Sequence, residues 1–274
     1  MSTSEYVPYC GVPPVPGELW QNWNLDPVLI AALGALGIAY GWGARRFGRE
    51  LGLEVWRMRC FAGGWVVLAA MLVSPICNLT VALFSARVGQ HMVLTLAAAP
   101  LLILGRPEML LAAAWPRFGA IAARLSAALP AGGLTGGAIS FAALLWLWHM
   151  PAPYEATLSS DGIYWLMHLS LFASALVLWK ALLDVEAAAR LRGSLGALAT
   201  SMQMGLLGAV LTFSAQPYFD SHATTTWSWG LSPLQDQQLG GLIMWVPGGL
   251  ALLITATVLF AGMLRSLEAE SGAA

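Results

Sequence analysis

Hydrophobic residues occur along this chain in seven long runs that are separated by short polar segments. Each run is close to the ~20 residues that an α-helix needs to cross the apolar part of a bilayer. The pattern predicts an all-α polytopic membrane protein, folded as a bundle of seven transmembrane helices. The predicted spans lie near 27–44, 60–83, 90–105, 134–150, 163–182, 195–216 and 240–263.

Two features interrupt this regular pattern. The third run is the shortest and contains Pro100, which membrane helices tolerate where neighbouring groups satisfy the freed carbonyl. The segment from Arg106 to Gly133 alternates apolar stretches with Arg117 and Arg124. That alternation predicts a helix lying in the membrane interface rather than an eighth span.

The basic residues predict the orientation of the chain in its membrane. Twelve of the thirteen lie at every second connection, and Arg87 alone falls on the other side. Because Lys and Arg are retained in the cytoplasm, the N-terminus is predicted outside and the C-terminus inside. We therefore expect residues 1–26 to form an extended periplasmic arm without a cleavable signal, 27–265 the seven-helix domain, and 266–274 a cytoplasmic tail.

Composition limits the classes of function. With 58% hydrophobic and 10% charged residues, a soluble domain would have too little polar surface to cover itself. A net charge of −1 without a basic stripe excludes a nucleic-acid partner. The sequence contains no nucleophile elbow, phosphate-binding loop or zinc-protease motif, so we do not expect an enzyme. The one lysine, Lys180, ends the fifth run, which argues against a retinal protein.

The histidines supply candidate chemistry, because all four are predicted near the outer face. The candidate ligands there are three histidines, two adjacent methionines and one cysteine: His91, His149, His168, Met92, Met150 and Cys77. Imidazole, thioether and thiolate suit copper, and the sulfur ligands favour the cuprous state. The alternative is structural, since histidines at helix ends often bond carbonyl groups and an adjacent methionine points about 100° away.

Polar residues before the seventh run extend this candidate site. Asp236 is a candidate ligand, and Gln237 and Gln238 are candidate supporting groups. A helix cap would explain Asp236 alone. Of the three cysteines, Cys10 and Cys60 have no evident partner, and an odd number cannot form a closed disulfide framework.

Several strings resemble one family of membrane proteins. They are His91-Met92 with AAAPLLILGRP (Ala97–Pro107), LWHMPAPYEATL (Leu147–Leu158), MHLSLFASALVLW (Met167–Trp179), LLGAVLTF, and WGLSPLQDQQLGGLIMWVPGG. The chain is similar over roughly residues 60–265 to the CtaG-like assembly proteins associated with caa-type haem–copper oxidases. The resemblance implies a multi-pass protein of the bacterial plasma membrane that helps to mature cytochrome c oxidase. It implies oxidase subunits as partners and copper as the cargo.

The sequence departs from the family pattern at two positions. The family usually pairs histidines four residues apart, whereas Arg87 and Tyr164 stand four residues before His91 and His168. Arg87 would oppose the binding of a cation. Two alternatives remain open within the family: an altered copper site completed by Met92, Met150 or Cys77, or a metal-free scaffold that packs against oxidase subunits. A copper transporter is a third, although few polar groups continue to the inner face.

Overall fold

The computed structural model describes residues 6–117, 120, 132–186 and 189–272. The longer helices of these residues, in chain order, are α1 (Pro27–Phe47), α2 (Val55–Val73), α3 (Pro75–Ala82), α4 (Phe84–Leu104), α5 (Pro107–Ala114), α6 (Gly132–Trp148), α7 (Pro151–Ser159), α8 (Asp161–Leu183), α9 (Arg190–Thr212) and α10 (Pro233–Ala269).

Six of these helices are long and apolar enough to cross a membrane. The helices α6 and α7 make a seventh span if the pair, bent by 73°, is counted as one. The prediction of an all-α polytopic membrane protein is therefore confirmed.

The second predicted span was too long at its C-terminal end. The helix α2 ends at Val73, and Pro75 begins the short helix α3. Proline is favoured at the first helical position because it has no N–H to leave unpaired. The Ser74 hydroxyl accepts the N–H of Ile76 and starts the new helix. Cys77 consequently lies in α3 and not in a long second span.

The third span begins earlier than the hydrophobic pattern predicts. The helix α4 starts at Phe84, so the prediction that Arg87 lies in an outer loop was wrong, and His91 lies two turns inside the helix. Apolar patterning missed this start because Ser85, Arg87 and Gln90 are polar yet buried against other helices. A helix covered by protein on most sides does not need an apolar sequence.

Two further boundaries differ from the prediction. The helix α10 starts at Pro233, so Asp236 lies within its first turn rather than before the span. The described part of the predicted interfacial segment contains the helix α5. Arg124 and residues 118–119 and 121–131 lie outside the described residues.

The helix α4 is the centre of the bundle. It packs against α2, α3, α8 and the first half of α10, while α9 runs along α10 and α6 along α8. The start of α4 is held by another helix, because the Asp236 carboxylate of α10 accepts the N–H groups of Phe84 (2.7 Å) and Ser85 (3.1 Å) and the Ser85 hydroxyl. A carboxylate at a helix N-terminus satisfies unpaired donors and the positive end of the helix dipole.

Residues 6–26 contain one 3-10 turn, Leu19–Gln21, and run across one end of the bundle. Asn78 of α3 donates from its side-chain amide to the carbonyls of Cys10 and Val12, both at 2.8 Å. The Asn24 N–H donates to the Val73 carbonyl at 2.9 Å. The arm is therefore fixed by its own backbone groups against the C-terminal end of α2 and against α3.

Candidate functional site

Three histidines from three helices meet beside α4. The ring centroid of His91 lies 5.1 Å from that of His168 on α8 and 6.3 Å from that of His149 at the end of α6. All three residues are buried. The three imidazoles therefore lie close together inside the bundle.

His91 is the least satisfied member of this histidine cluster. It is 4% exposed, and neither of its ring nitrogens has a hydrogen-bond partner among the described residues. The other two rings are oriented by carbonyls one turn earlier: His149 Nδ1 donates to Leu145 at 2.7 Å and His168 Nδ1 to Tyr164 at 3.1 Å. This tautomer leaves the Nε2 lone pair of each ring free for an acid or a cation.

The second nitrogen of His168 faces an oxygen. Its Nε2 lies 3.3 Å from the Gln90 side-chain oxygen, whose amide group donates to the Met71 carbonyl at 2.7 Å. A neutral imidazole that already donates through Nδ1 cannot donate here as well. A neutral His168 ring therefore donates to only one of the two oxygens that its nitrogens face.

Arg87 is buried one turn before His91 on the same helix. It is 1% exposed, donates to the Thr157 hydroxyl at 2.5 Å, and leaves Nε without a partner. Its guanidinium carbon lies 5.2 Å from the Tyr154 ring centroid. The sequence placed this charge outside the membrane span, whereas the structure places it inside the bundle.

A second polar layer, which sequence reasoning did not include, lies around Arg87. The Tyr154 hydroxyl and His222 Nε2 are 2.7 Å apart. His222 belongs to the loop between α9 and α10, where burial and, to a lesser extent, the Arg87 charge lower its pKa to about 3. His222 is therefore neutral near pH 7 and acts as a hydrogen-bonding group. The sequence signal that could have indicated this layer was Tyr154, an aromatic residue inside a string rich in prolines.

The two candidate methionines do not join the histidines. The Met92 sulfur lies against Gly248 of α10, where a β-carbon would come within 3.0 Å of it. Met150 is 55% exposed at the corner between α6 and α7. Both follow a histidine by one residue, and that spacing turns their side chains away from its direction.

The polar residues of α10 hold helix ends together. Asp236 caps α4, and the Gln237 side-chain oxygen accepts the Tyr218 N–H at 2.6 Å. The Gln238 amide donates to the Ser214 carbonyl at 3.2 Å. The structure thus gives Asp236 three hydrogen-bond donors and leaves it no open position like that of a metal ligand. The cap, which was the alternative, accounts for it.

Cys77 is paired with Cys10 in a disulfide that joins α3 to the N-terminal arm. The expectation that Cys10 has no partner was wrong, because an odd cysteine count still permits one pair with Cys60 left over. A disulfide sulfur is not a thiolate, so Cys77 is not an available ligand in this state. The Tyr164 hydroxyl lies 3.3 Å from Cys10 Sγ, and its ring lies 4.2 Å from the His168 ring.

This pairing predicts the number of reactive thiols. Denatured protein that has not been reduced should react with one equivalent of a maleimide reagent, at Cys60, and with three equivalents after reduction. Cys10→Ser should raise the first number to two because it frees Cys77. Mass spectrometry of the labelled peptides measures this directly, and three reactive thiols before reduction would contradict the disulfide.

The cluster can be tested against the needs of a metal ion. Within the described part of the chain, no three His, Cys, Asp or Glu side chains are arranged so that they could hold one metal ion. The nearest pair is His91 and His168, and the unpaired nitrogens of His91 are the groups that a cation would satisfy. The arrangement thus offers two imidazoles, with a third nearby and a fixed positive charge one turn away.

Comparison with known proteins supports the resemblance noted in the sequence. The family model for the cytochrome c oxidase caa3 assembly factor (Caa3_CtaG) matches residues 38–266. No curated protein and no solved structure gives a match. The match spans all the long helices from α2 onward and the residues of the histidine cluster, so the chain belongs to the family of cytochrome c oxidase caa3 assembly factors.

Proposed function

We propose that this protein assists the assembly of a haem–copper oxidase in the bacterial plasma membrane by holding a cuprous ion between His91 and His168. It carries copper as cargo for the oxidase subunits and catalyses no reaction of its own. The observation that carries the proposal is His91, whose two ring nitrogens are buried and unpaired beside two other imidazoles. Burial of unpaired polar atoms is unfavourable, and a cation on this ring would offset it.

The chemistry of the pair fits the cuprous state better than the cupric one. A cuprous ion is a soft d10 cation that is stable with as few as two ligands, whereas a cupric ion requires a tetragonal set of nitrogen and oxygen ligands. His91 and His168 supply two neutral nitrogens at a centroid distance of 5.1 Å. His149, whose Nδ1 is fixed by the Leu145 carbonyl, would supply a third after a small side-chain movement.

The disulfide favours the orientation in which this site lies near the periplasm. Disulfides persist in oxidising compartments such as the periplasm and are rare in the cytoplasm. Cys10 and Cys77 lie next to Tyr164, which stacks near His168. The distribution of basic residues predicts the same side for these groups. Copper would then reach the oxidase from the periplasmic side.

Copper binding by the purified protein tests the proposal. Full-length protein in detergent, loaded with a cuprous salt under a competing chelator, should retain about one equivalent of copper per chain. His91→Gln and His168→Gln should each lower the affinity at least about tenfold, since each removes one of two ligands. His222→Gln is the matched control, because His222 is an equally buried histidine that bonds Tyr154 instead. Equal copper binding by wild type and His91→Gln would overturn the proposal.

Oxidase maturation provides the cellular measurement. A deletion strain should contain oxidase with less copper and less activity at low copper supply, and wild type but not His91→Gln should restore both. Normal oxidase maturation in the deletion strain at low copper would contradict any assembly role of this chain.

A metal-free scaffold is the second candidate, and a specific feature favours it. A groove of about 940 Å³ lies between α9 and α10 and contains Gln203. The Gln203 amide nitrogen is buried and unpaired, while its oxygen accepts the Trp146 indole N–H at 3.0 Å. Such an unpaired donor at the groove would suit a polar group on a helix of an oxidase subunit. If the scaffold is correct, His91→Gln restores the oxidase fully and Gln203→Leu does not.

The copper transporter has less support. Met202, near the middle of α9, is 67% exposed on the outside of the bundle. Met204 packs near Gly248. Met202 therefore does not continue a line of ligands below the histidine cluster. Copper uptake into vesicles that contain the purified protein would separate a transporter from an assembly factor.

A further inference from the structure

A buried positive charge without a counter-charge lies beside the histidine cluster. Arg87 is 1% exposed and forms no salt bridge within 4.0 Å among the described residues. An ion buried without a partner is destabilising, and proteins almost always pair such a charge or expose it. Arginine does not lose its proton under these conditions. The described part of the chain therefore supplies no negative charge that pairs with Arg87.

The carboxylates of the neighbouring elements are already used. Asp236 of α10 accepts the N–H groups of Phe84 and Ser85. Glu155 of α7 accepts the N–H and the hydroxyl of Ser221, at 3.2 and 3.1 Å. Each acid thus satisfies backbone or hydroxyl donors and forms no ion pair with Arg87.

The groups around the guanidinium are donors that suit an anion. Arg87 Nε is buried and unpaired, and both nitrogens of His91 are unpaired one turn later on the same face of α4. The Thr157 hydroxyl receives the Arg87 hydrogen bond and itself donates to the Tyr154 carbonyl. Three buried nitrogens without partners on two neighbouring side chains therefore lie next to a full positive charge.

From this arrangement we infer that Arg87, together with His91, binds one small monovalent anion, either a halide or a carboxylate group. The anion accepts from Arg87 Nε and from the N–H of the His91 ring. The remaining nitrogen of His91 then keeps its lone pair toward His168. This inference deepens the proposed function, because a cuprous ion beside an unneutralised guanidinium would meet strong repulsion in a medium of low dielectric constant. With the anion bound, the cuprous ion lies beside an arginine–anion pair that has no net charge.

A pocket near the N-terminal arm lies close in the chain to the residue that holds Arg87. A pocket of about 460 Å³ lies beneath the N-terminal arm and is lined by Val81, Leu158 and Ser221, among others. Leu158 follows Thr157 directly, so the pocket floor lies one residue from the side chain that holds Arg87. An anion in the pocket would reach the guanidinium by a displacement of this segment of α7.

Thermal unfolding of metal-free protein tests the anion site apart from copper. Full-length protein in detergent with a chelator is titrated with bromide or acetate at constant ionic strength against gluconate, a carboxylate whose six-carbon chain is too large for a site between two buried side chains. We expect a saturable rise in melting temperature of about 5 °C with bromide, acetate or both, since a ligand that binds only the folded state stabilises it. The type of ligand follows from the anion that raises the melting temperature. A rise with bromide indicates a free halide, and a rise with acetate indicates a carboxylate group.

Two variants make this result specific. Arg87→Gln should lose the rise in melting temperature and should be at least as stable as wild type in gluconate, because it removes an unpaired buried charge. Arg57→Gln, which removes an arginine paired with Glu54 on α2, should keep the rise. If Arg87→Gln fails to fold, Thr157→Val serves as the second variant. It leaves the charge in place and should reduce the rise in melting temperature. Absence of a saturable rise, or an equal rise in Arg87→Gln, would overturn the inference.

Copper affinity measured in the same anions separates this inference from the proposed function. Cuprous binding should be at least about tenfold weaker in gluconate than in the effective anion. If the anion stabilises wild type through Arg87 while copper binds in neither medium, the anion site stands and the copper proposal fails. If copper binds equally in both media, the coupling between the two ions is wrong.

Discussion

Replacing Asp236 with alanine should lower the free energy of unfolding by about 3 kcal/mol, although Asp236 contributes nothing to the hydrophobic core. The side chain is fully buried and accepts three hydrogen bonds at the start of α4. Alanine would leave the N–H groups of Phe84 and Ser85 buried without acceptors. It would also remove the negative charge that faces the positive end of the α4 dipole.

The loss is measured by unfolding in increasing SDS, followed by tryptophan fluorescence. Asp236→Asn keeps one acceptor oxygen but removes the charge, so it should lie between wild type and alanine. Asp220→Ala is the control, since Asp220 is an exposed acid in the adjacent loop, and its effect should stay within about 0.5 kcal/mol. If Asp236→Ala is as stable as Asp220→Ala, then Asp236 does not act as a cap of α4.

The same variants decide between a cap and a metal ligand. If Asp236 is a cap, the folded fraction of Asp236→Asn should bind cuprous ion as tightly as wild type. A folded Asp236→Asn with copper affinity lowered tenfold would return Asp236 to the ligand set that the sequence predicted.

The hydrophobic pattern of the sequence predicted the membrane architecture because almost every span shares one property, a long apolar run. An apolar run of fixed length is required wherever a helix faces lipid, and this held for α1, α8 and α9. It failed at α4, which packs against four other helices. A helix surrounded by protein can carry Arg87 and Gln90 inside the bundle, so the hydropathy of its first turns does not reveal where it begins.

Within the candidate site, the sequence identified the histidines, because their residue type alone marks them as possible ligands. Histidines near membrane-helix ends are rare enough to be noticed, and His91, His149 and His168 do lie together. The cross-helix cap by Asp236 and the disulfide between Cys10 and Cys77 join residues that are far apart in the chain. Their pairing depends on which helices become neighbours, and no local pattern in one sequence specifies that. The methionines next to the histidines carried less information, since a residue adjacent to a histidine on a helix faces a different direction.

The largest packing effect is expected at Gly241, on which the position of Asp236 also depends. A β-carbon there would lie 2.5 Å from Thr212 Oγ1, 2.6 Å from the Gly208 carbonyl oxygen and 2.8 Å from the Thr212 nitrogen. Two of these three atoms belong to the α9 backbone and cannot rotate away. Gly241→Ala should therefore separate α9 from α10 and lower the free energy of unfolding by about 3 kcal/mol, the upper end for overpacking.

The matched control is Gly136→Ala, at an exposed position inside α6 where a β-carbon would meet no atom within 4 Å. This change should leave stability unchanged or raise it by up to about 1 kcal/mol, because alanine favours the helix. Separation of α9 from α10 would also displace Asp236 from the start of α4, and with it the turn that carries Arg87 and His91. Gly241→Ala should accordingly weaken copper binding without touching a ligand, whereas unchanged stability and copper affinity in Gly241→Ala would contradict the close contact between these helices.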